Sequence, residues 1–240
     1  MFLNSSLSAA LDRIAERAAD VRRAFTPGAV PQYDDVATPG TSASFTLDPL
    51  AVAAPDGAYF ITSDDRAGRA YTRNGDFSLR SGRLTDAGGD PVFGIRTPGS
   101  ALTELRIDPV DDALGRVRNA AIERDGSLVY QREAIDPRSG MREMQRVVAG
   151  RLALARFPAG TRLRTSDGSQ CTAPEGVSAQ TGVPSEDGFG PLAPMHRERS
   201  RVDVDASILR LKDAYLAFDA LQAAEAAKAH LGKTAMDLLK

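Results

Sequence analysis

The chain has little of what most chemistry requires. Its 240 residues include one cysteine, two histidines and no tryptophan, and aromatic side chains make up only 6%. A single cysteine excludes an intrachain disulfide and any cysteine-rich metal site. His196 and His230 stand alone in the sequence, and surface or packing roles suit isolated histidines better than ligation or catalysis. No apolar run approaches the roughly 18 residues that a membrane span needs, so no membrane insertion is expected. Positive charge is not in excess either: 30 basic against 32 acidic residues leave a net charge of −2. Nucleic-acid binding, which calls for a basic stripe, is therefore not expected. The opening "MFLNSSLSAALDRIAERAAD" lacks a basic start and a long apolar core, and the expectation is export without a cleaved signal peptide.

Catalytic patterns are equally sparse. Gly188-Phe189-Gly190 lacks the strand and helix context of a nucleotide loop, and no Gly-x-Ser-x-Gly or His-Glu-x-x-His occurs. The doublets Asp34-Asp35, Asp64-Asp65 and Asp111-Asp112 sit beside turn residues, where aspartate bonds its own backbone. Cys171 lies in a polar stretch with no activating neighbour, which favours an inert thiol. The basic run "HRERSR" (196–201) reads as a solvated or intersubunit charged face. No catalytic residue, cofactor or metal is expected, and the chain reads as a non-enzyme.

What the sequence does have is turn residues in the middle and almost none at the ends. Residues 44–165 alternate short β-prone runs with Asp56-Gly57, Asn74-Gly75, Ser81-Gly82, Gly88-Gly89 and Asp125-Gly126. Asn-Gly and Asp-Gly tolerate the positive φ of tight hairpins, which predicts antiparallel pairing with Asn74 and Gly75 as structural turn residues. At the N-terminus Leu7, Leu11, Ile14 and Val21 recur at helical spacing, and Thr26-Pro27-Gly28 stops the helix. Near the C-terminus Ile208, Leu211, Tyr215 and Phe218 step three and four, a 3.5-residue period. That stripe continues to Leu231 in a helix of about 35 residues, roughly 50 Å. These nine apolar positions form the expected assembly seam. The reading is α+β: terminal helices (1–28 and 202–240) forming a coiled-coil-like helical assembly domain, and a central antiparallel β-rich domain (41–200) with loop-rich 159–200. Narrow apolar stripes at both ends leave surface to bury against other copies, which predicts self-assembly.

The block "GAYFITSDDRAGRAYTRNGDFSLRSGRLTDAGGDPVFG" (57–94) resembles the central signature of bacterial flagellar rod and hook proteins. Tyr71, Thr72, Arg73, Asn74, Gly75, Phe77, Gly82, Leu84, Gly89, Pro91, Val92 and Gly94 fall in its order and spacing. "VAGRLALARFPAG" (148–160) and "EDGFGPLAPMHRERSRVDVDASILRLKDAYLAFDAL" (186–221) are similar to the family's later strand and C-terminal motif, and Thr38-Pro39-Gly40 favours rod over hook. The resemblance implies a basal-body rod subunit of the proximal or distal type, polymerised with rod and hook-family relatives into a torque-transmitting shaft. It implies terminal helices in an inner layer and the β domain outside. It further implies passage through the flagellar export apparatus into the periplasm-spanning rod, close to peptidoglycan. The chain departs from the family pattern where asparagines are usual: Asp20, Arg23, Arg201 and Asp203 stand there instead. The alternatives are another tubular axial protein, of hook or phage tail-tube type, and a glycan-binding or hydrolytic β domain acting on the cell wall.

Overall fold

The computed structural model describes residues 2–29, 42–64, 68–97, 99–107, 117–135, 140–165, 170–200 and 202–238. The doublets Asp34-Asp35 and Asp111-Asp112, Asp65, and Thr38-Pro39-Gly40 lie outside the described residues. Two compact units divide the chain: Met1–Phe25 with Arg201–Lys240, and Thr26–Ser200.

Antiparallel sheet dominates the larger unit. One six-stranded sheet has the order Arg164–Thr165, Gln170–Thr172, Gly68–Thr72, Ala58–Asp64, Leu154–Arg156, Gln180–Gly182. A five-stranded sheet runs Thr103–Glu104, Phe93–Ile95, Arg142–Leu152, Ser127–Ile135, Arg118–Ile122. The two are joined covalently at Ala153, where the long strand Arg142–Leu152 passes into Leu154–Arg156. Leu152 and Leu154 are both wholly buried there.

Strand alternation explains the core. In Ala58–Asp64, successive side chains point to opposite faces. Phe60 enters one cluster with Phe77, Leu84, Leu105, Leu128, Tyr130, Leu152 and Leu154, while Tyr59 and Ile61 enter a second with Tyr71, Ala155 and Phe157. Both faces of this strand are covered, which is why "AYFI" reads as an unbroken apolar run. Edge-to-face ring contacts reinforce each cluster, Phe60 on Phe77 at 5.0 Å and Tyr71 on Phe157 at 4.8 Å.

The smaller unit contains α1 (Phe2–Arg23) and α2 (Val204–Leu238). Asp203 caps α2, its Oδ1 accepting from Ala206 N at 3.1 Å. The α+β reading with a coiled-coil-like helical domain is overturned here. The chain is mostly β-sheet, and its only helices among the described residues are these two, one near each end, with no coiled-coil-like helical domain. The reason lies in which side chains leave water. A heptad seam needs large apolar knobs at every a and d position. On α2 the most buried positions are Ser207 and Ala214, whereas Ile208 and Tyr215 are 38% and 50% exposed. From Gln222 to Thr234 every side chain described is exposed except half-buried Glu225. The 3.5-residue period is real as a spacing but does not mark the face that the fold covers.

Candidate assembly surface and the anchor at Arg73

In the smaller unit Ile14 is buried, and Leu7, Val21, Leu211 and Phe218 are half-buried. Leu11, Ile208, Tyr215 and Leu231 stand in water, with Leu11 at 52% and Leu231 at 69% exposure. Leu209 and Leu216, which no seam position anticipated, are 61% and 66% exposed. They lie seven residues apart, two turns on one side of α2. Large apolar groups thus project from more than one side of this helix. Asp20 and Arg23 are buried and face each other at 3.2 Å, with Arg17 3.9 Å from the same carboxylate.

In the β unit the Arg73-Asn74-Gly75 segment does more than turn the chain. Thr72 Oγ1 accepts from Asn74 N at 3.0 Å, and Asn74 Oδ1 accepts from Asp76 N at 3.1 Å, so side chains make the bend. Neither Asn74 nor Gly75 adopts positive φ. The tight hairpin in this stretch belongs to Ser81-Gly82, at φ 50° and 78°, which closes Ser78–Arg80 on Arg83–Thr85. Gly75 is needed for approach instead: its carbonyl accepts from Val52 N at 3.0 Å, and a Cβ there would fall on the Val52 carbonyl oxygen.

Arg73 is the centre of the segment. Its Nε–H donates to both carboxylate oxygens of Glu198 at 2.8 and 2.9 Å, and Nη1–H donates to the Ala58 carbonyl at 2.7 Å. The guanidinium also lies 5.6 Å from the centroid of the Tyr59 ring. Arg73 and Glu198 are 2% and 1% exposed, although they stand 125 residues apart in sequence. Glu198 ends the strand His196–Glu198, which pairs with Ala43–Phe45, and its carbonyl accepts from Gly28 N at 3.1 Å. Gly28, at φ 67°, leaves no room for a side chain: a Cβ would meet Arg73 O at 2.8 Å. The first and last segments of this unit therefore converge on one buried cation.

Within the run, His196–Glu198 is accordingly not a solvated face, whereas Arg199 is exposed. Besides Glu198, Arg197 donates to Asp76 at 2.7 Å, and His196 Nδ1 lies 2.8 Å from the Pro194 carbonyl. Sequence reading passes over Glu198 because one acid among bases looks like a surface charge. The available signal is strand alternation, which puts Glu198 on the opposite face from Arg197.

No family model matches this chain, and no curated protein matches it either. Its own chemistry has to identify the arrangement. Among the described residues, no three His, Cys, Asp or Glu side chains gather where they could hold a metal, and no helix is long and apolar enough to cross a membrane. Cys171 Sγ–H donates to the Tyr71 carbonyl at 3.1 Å. Burial pushes the thiol from 9.0 up to about 12, with the Arg73 charge pulling weakly the other way. Its thiolate is therefore scarce at neutral pH. Native Cys171 should react with iodoacetamide about 10²–10³-fold more slowly at pH 8 than in the urea-unfolded chain. Equal rates, read by mass spectrometry over time, would contradict the raised thiol pKa.

Proposed function

We propose that this protein is a non-enzymatic structural subunit of the bacterial flagellar basal-body rod, self-assembling with related rod and hook-family subunits. The observation that carries the reading is the set of uncovered apolar side chains on α2: Ile208, Leu209, Tyr215, Leu216 and Leu231, 38% to 69% exposed. Such surface is costly in a free monomer and is stabilised when neighbours bury it, at about 25 cal/mol per Å². Resemblance of residues 57–94 and 186–221 to the rod and hook signatures supplies the kind of neighbour. A place in the periplasm-spanning rod, reached through the flagellar export apparatus and close to peptidoglycan, goes with that reading.

The test separates folding from assembly. Leu216→Glu and Leu209→Glu change exposed positions, so the stability of the purified protein in urea should stay within about 0.5 kcal/mol of wild type. Cells carrying either variant in place of the gene should lose rods in basal-body images and lose swimming. Rods and motility of wild-type quality, with the variant protein present at normal level, would overturn the proposal.

A further inference from the structure

The hairpin Ser78–Arg80/Arg83–Thr85 presents an arrangement of charge that the fold does not require. Arg80 is directly opposite Arg83 across the hairpin, and Arg83 is directly opposite Arg106 on its other side. Backbone bonds fix this register: Ile107 N donates to Gly82 O at 2.8 Å and Leu84 N to Leu105 O at 2.9 Å. Directly opposed residues of antiparallel strands project from the same face with Cβ atoms about 5 Å apart. Three arginines thus form a row across three adjacent segments, all exposed. Like charges placed this way repel.

Among the described residues, one acid answers them. Glu104 lies 3.6 Å from Arg83, and no other described carboxylate forms an ion pair with the row. Among the described residues two positive charges of the row are left over, on a chain whose net charge is −2. The three side chains line a cavity of about 850 Å³ together with Ser81, Thr85 and Gly89. That is the size range of small-ligand sites. Gly89, at φ 96°, lets the Arg80 guanidinium lie on bare backbone: a Cβ there would be 2.8 Å from Nη1.

We propose that this cavity binds a small multivalent anion, one carrying two or more carboxylate or phosphate groups. A monovalent anion would match one of the two uncompensated charges; two linked anionic groups match both. Each guanidinium has five N–H donors in a planar fork, which suits either oxyanion. The hydroxyl of Ser81, in the turn of the hairpin, adds a neutral donor at the rim.

Isothermal titration of the purified full chain with pyrophosphate, and separately with citrate, tests the site. At about 10 mM salt, where the Debye length is about 30 Å, at least one of the two should bind saturably. Arg83→Gln should weaken that binding by about tenfold or more, since a charge-assisted bond is lost, and Arg106→Gln should do likewise. Arg142→Gln, a charge change on the distant hairpin Ser127–Ile135/Arg142–Leu152, should leave it unchanged. Without anion, Arg83→Gln should melt at or above the wild-type temperature, because repulsion in the row is relieved. Binding by pyrophosphate alone assigns a phosphate ligand, binding by citrate alone a carboxylate one, and either supports the site. Heat from neither anion, or binding that survives Arg83→Gln and Arg106→Gln intact, overturns it. The assembly reading stands or falls separately, since no step of this experiment uses assembled protein.

Discussion

Replacing Glu198 with alanine should destabilise the unit Thr26–Ser200 by about 3–5 kcal/mol, the usual cost of removing one partner from a buried ion pair. Calorimetric melting should fall by on the order of 10 °C for a unit of this size. The reason is not that the pair is strongly attractive. Bringing two ions out of water costs several kcal/mol each, and the bonds from Arg73 Nε to both carboxylate oxygens mainly offset that cost. Deleting Glu198 leaves a cation in a site 2% exposed, with the Ala58 carbonyl and the Tyr59 ring as its nearest compensation.

Two explanations can be separated. If electrostatic attraction itself held the strand His196–Glu198 in place, the double change Arg73→Met with Glu198→Leu would be as damaging as either single one. If desolvation of an orphaned charge is what hurts, the double change should recover most of the loss. Recovery is expected here because Arg73 Nη2 has no hydrogen-bond partner among the described residues, so the pair is imperfectly satisfied to begin with. Arg73→Lys should rescue little, as an ammonium cannot address the carboxylate and the Ala58 carbonyl through one planar fork. A Glu198→Ala protein that melts with wild type would refute the anchor.

The helices are legible in the sequence because their signal is local. Leu7 to Val21 keeps helical spacing and Pro27 cannot continue a helix, and α1 ends at Arg23. Which face a helix covers is not local: the burial of Ser207 and Ala214 instead of Ile208 and Tyr215 depends on the partner surface, and a periodicity count ranks the larger apolar residues first. Turn signals in the β unit are similarly divided. Ser81-Gly82 and Gly57 sit at the left-handed φ that such residues suggest, while Asn74-Gly75 does not. Sheet order is out of reach. Gln170–Thr172 lies beside Gly68–Thr72, about a hundred residues away, and strands of two or three residues carry no alternation to read. The Arg73–Glu198 pair belongs to that non-local class, and so does the arginine row, whose third member comes from outside the hairpin.

Gly75→Ala carries the second large effect, and it distinguishes two reasons for an Asn-Gly pair. If Gly75 served only to permit a turn, alanine would cost about 1–2 kcal/mol of backbone strain at most. Gly57 gives the scale: it sits at φ 69° with nothing within 4 Å of where a Cβ would stand, so Gly57→Ala should show that smaller loss and Gly57→Asn less still. At Gly75 the φ is permissive, but the added carbon would collide with the Val52 carbonyl and touch Phe60 Cε2 at 3.0 Å. The obstacle is main chain and cannot rotate away. Val52 is fully buried, paired on its other side with Pro194, and its neighbour Ala51 accepts from Met195 N at 2.8 Å. Displacing Val52 therefore disturbs Met195 and, through Thr46 N to Met195 O, the end of the strand Ala43–Phe45 as well. A cost above the usual overpacking range of about 1–3 kcal/mol follows, with loss of soluble protein as the extreme outcome. Urea unfolding of the two alanine variants side by side decides the matter: equal midpoints would mean that close approach at Val52 is not what this glycine is for.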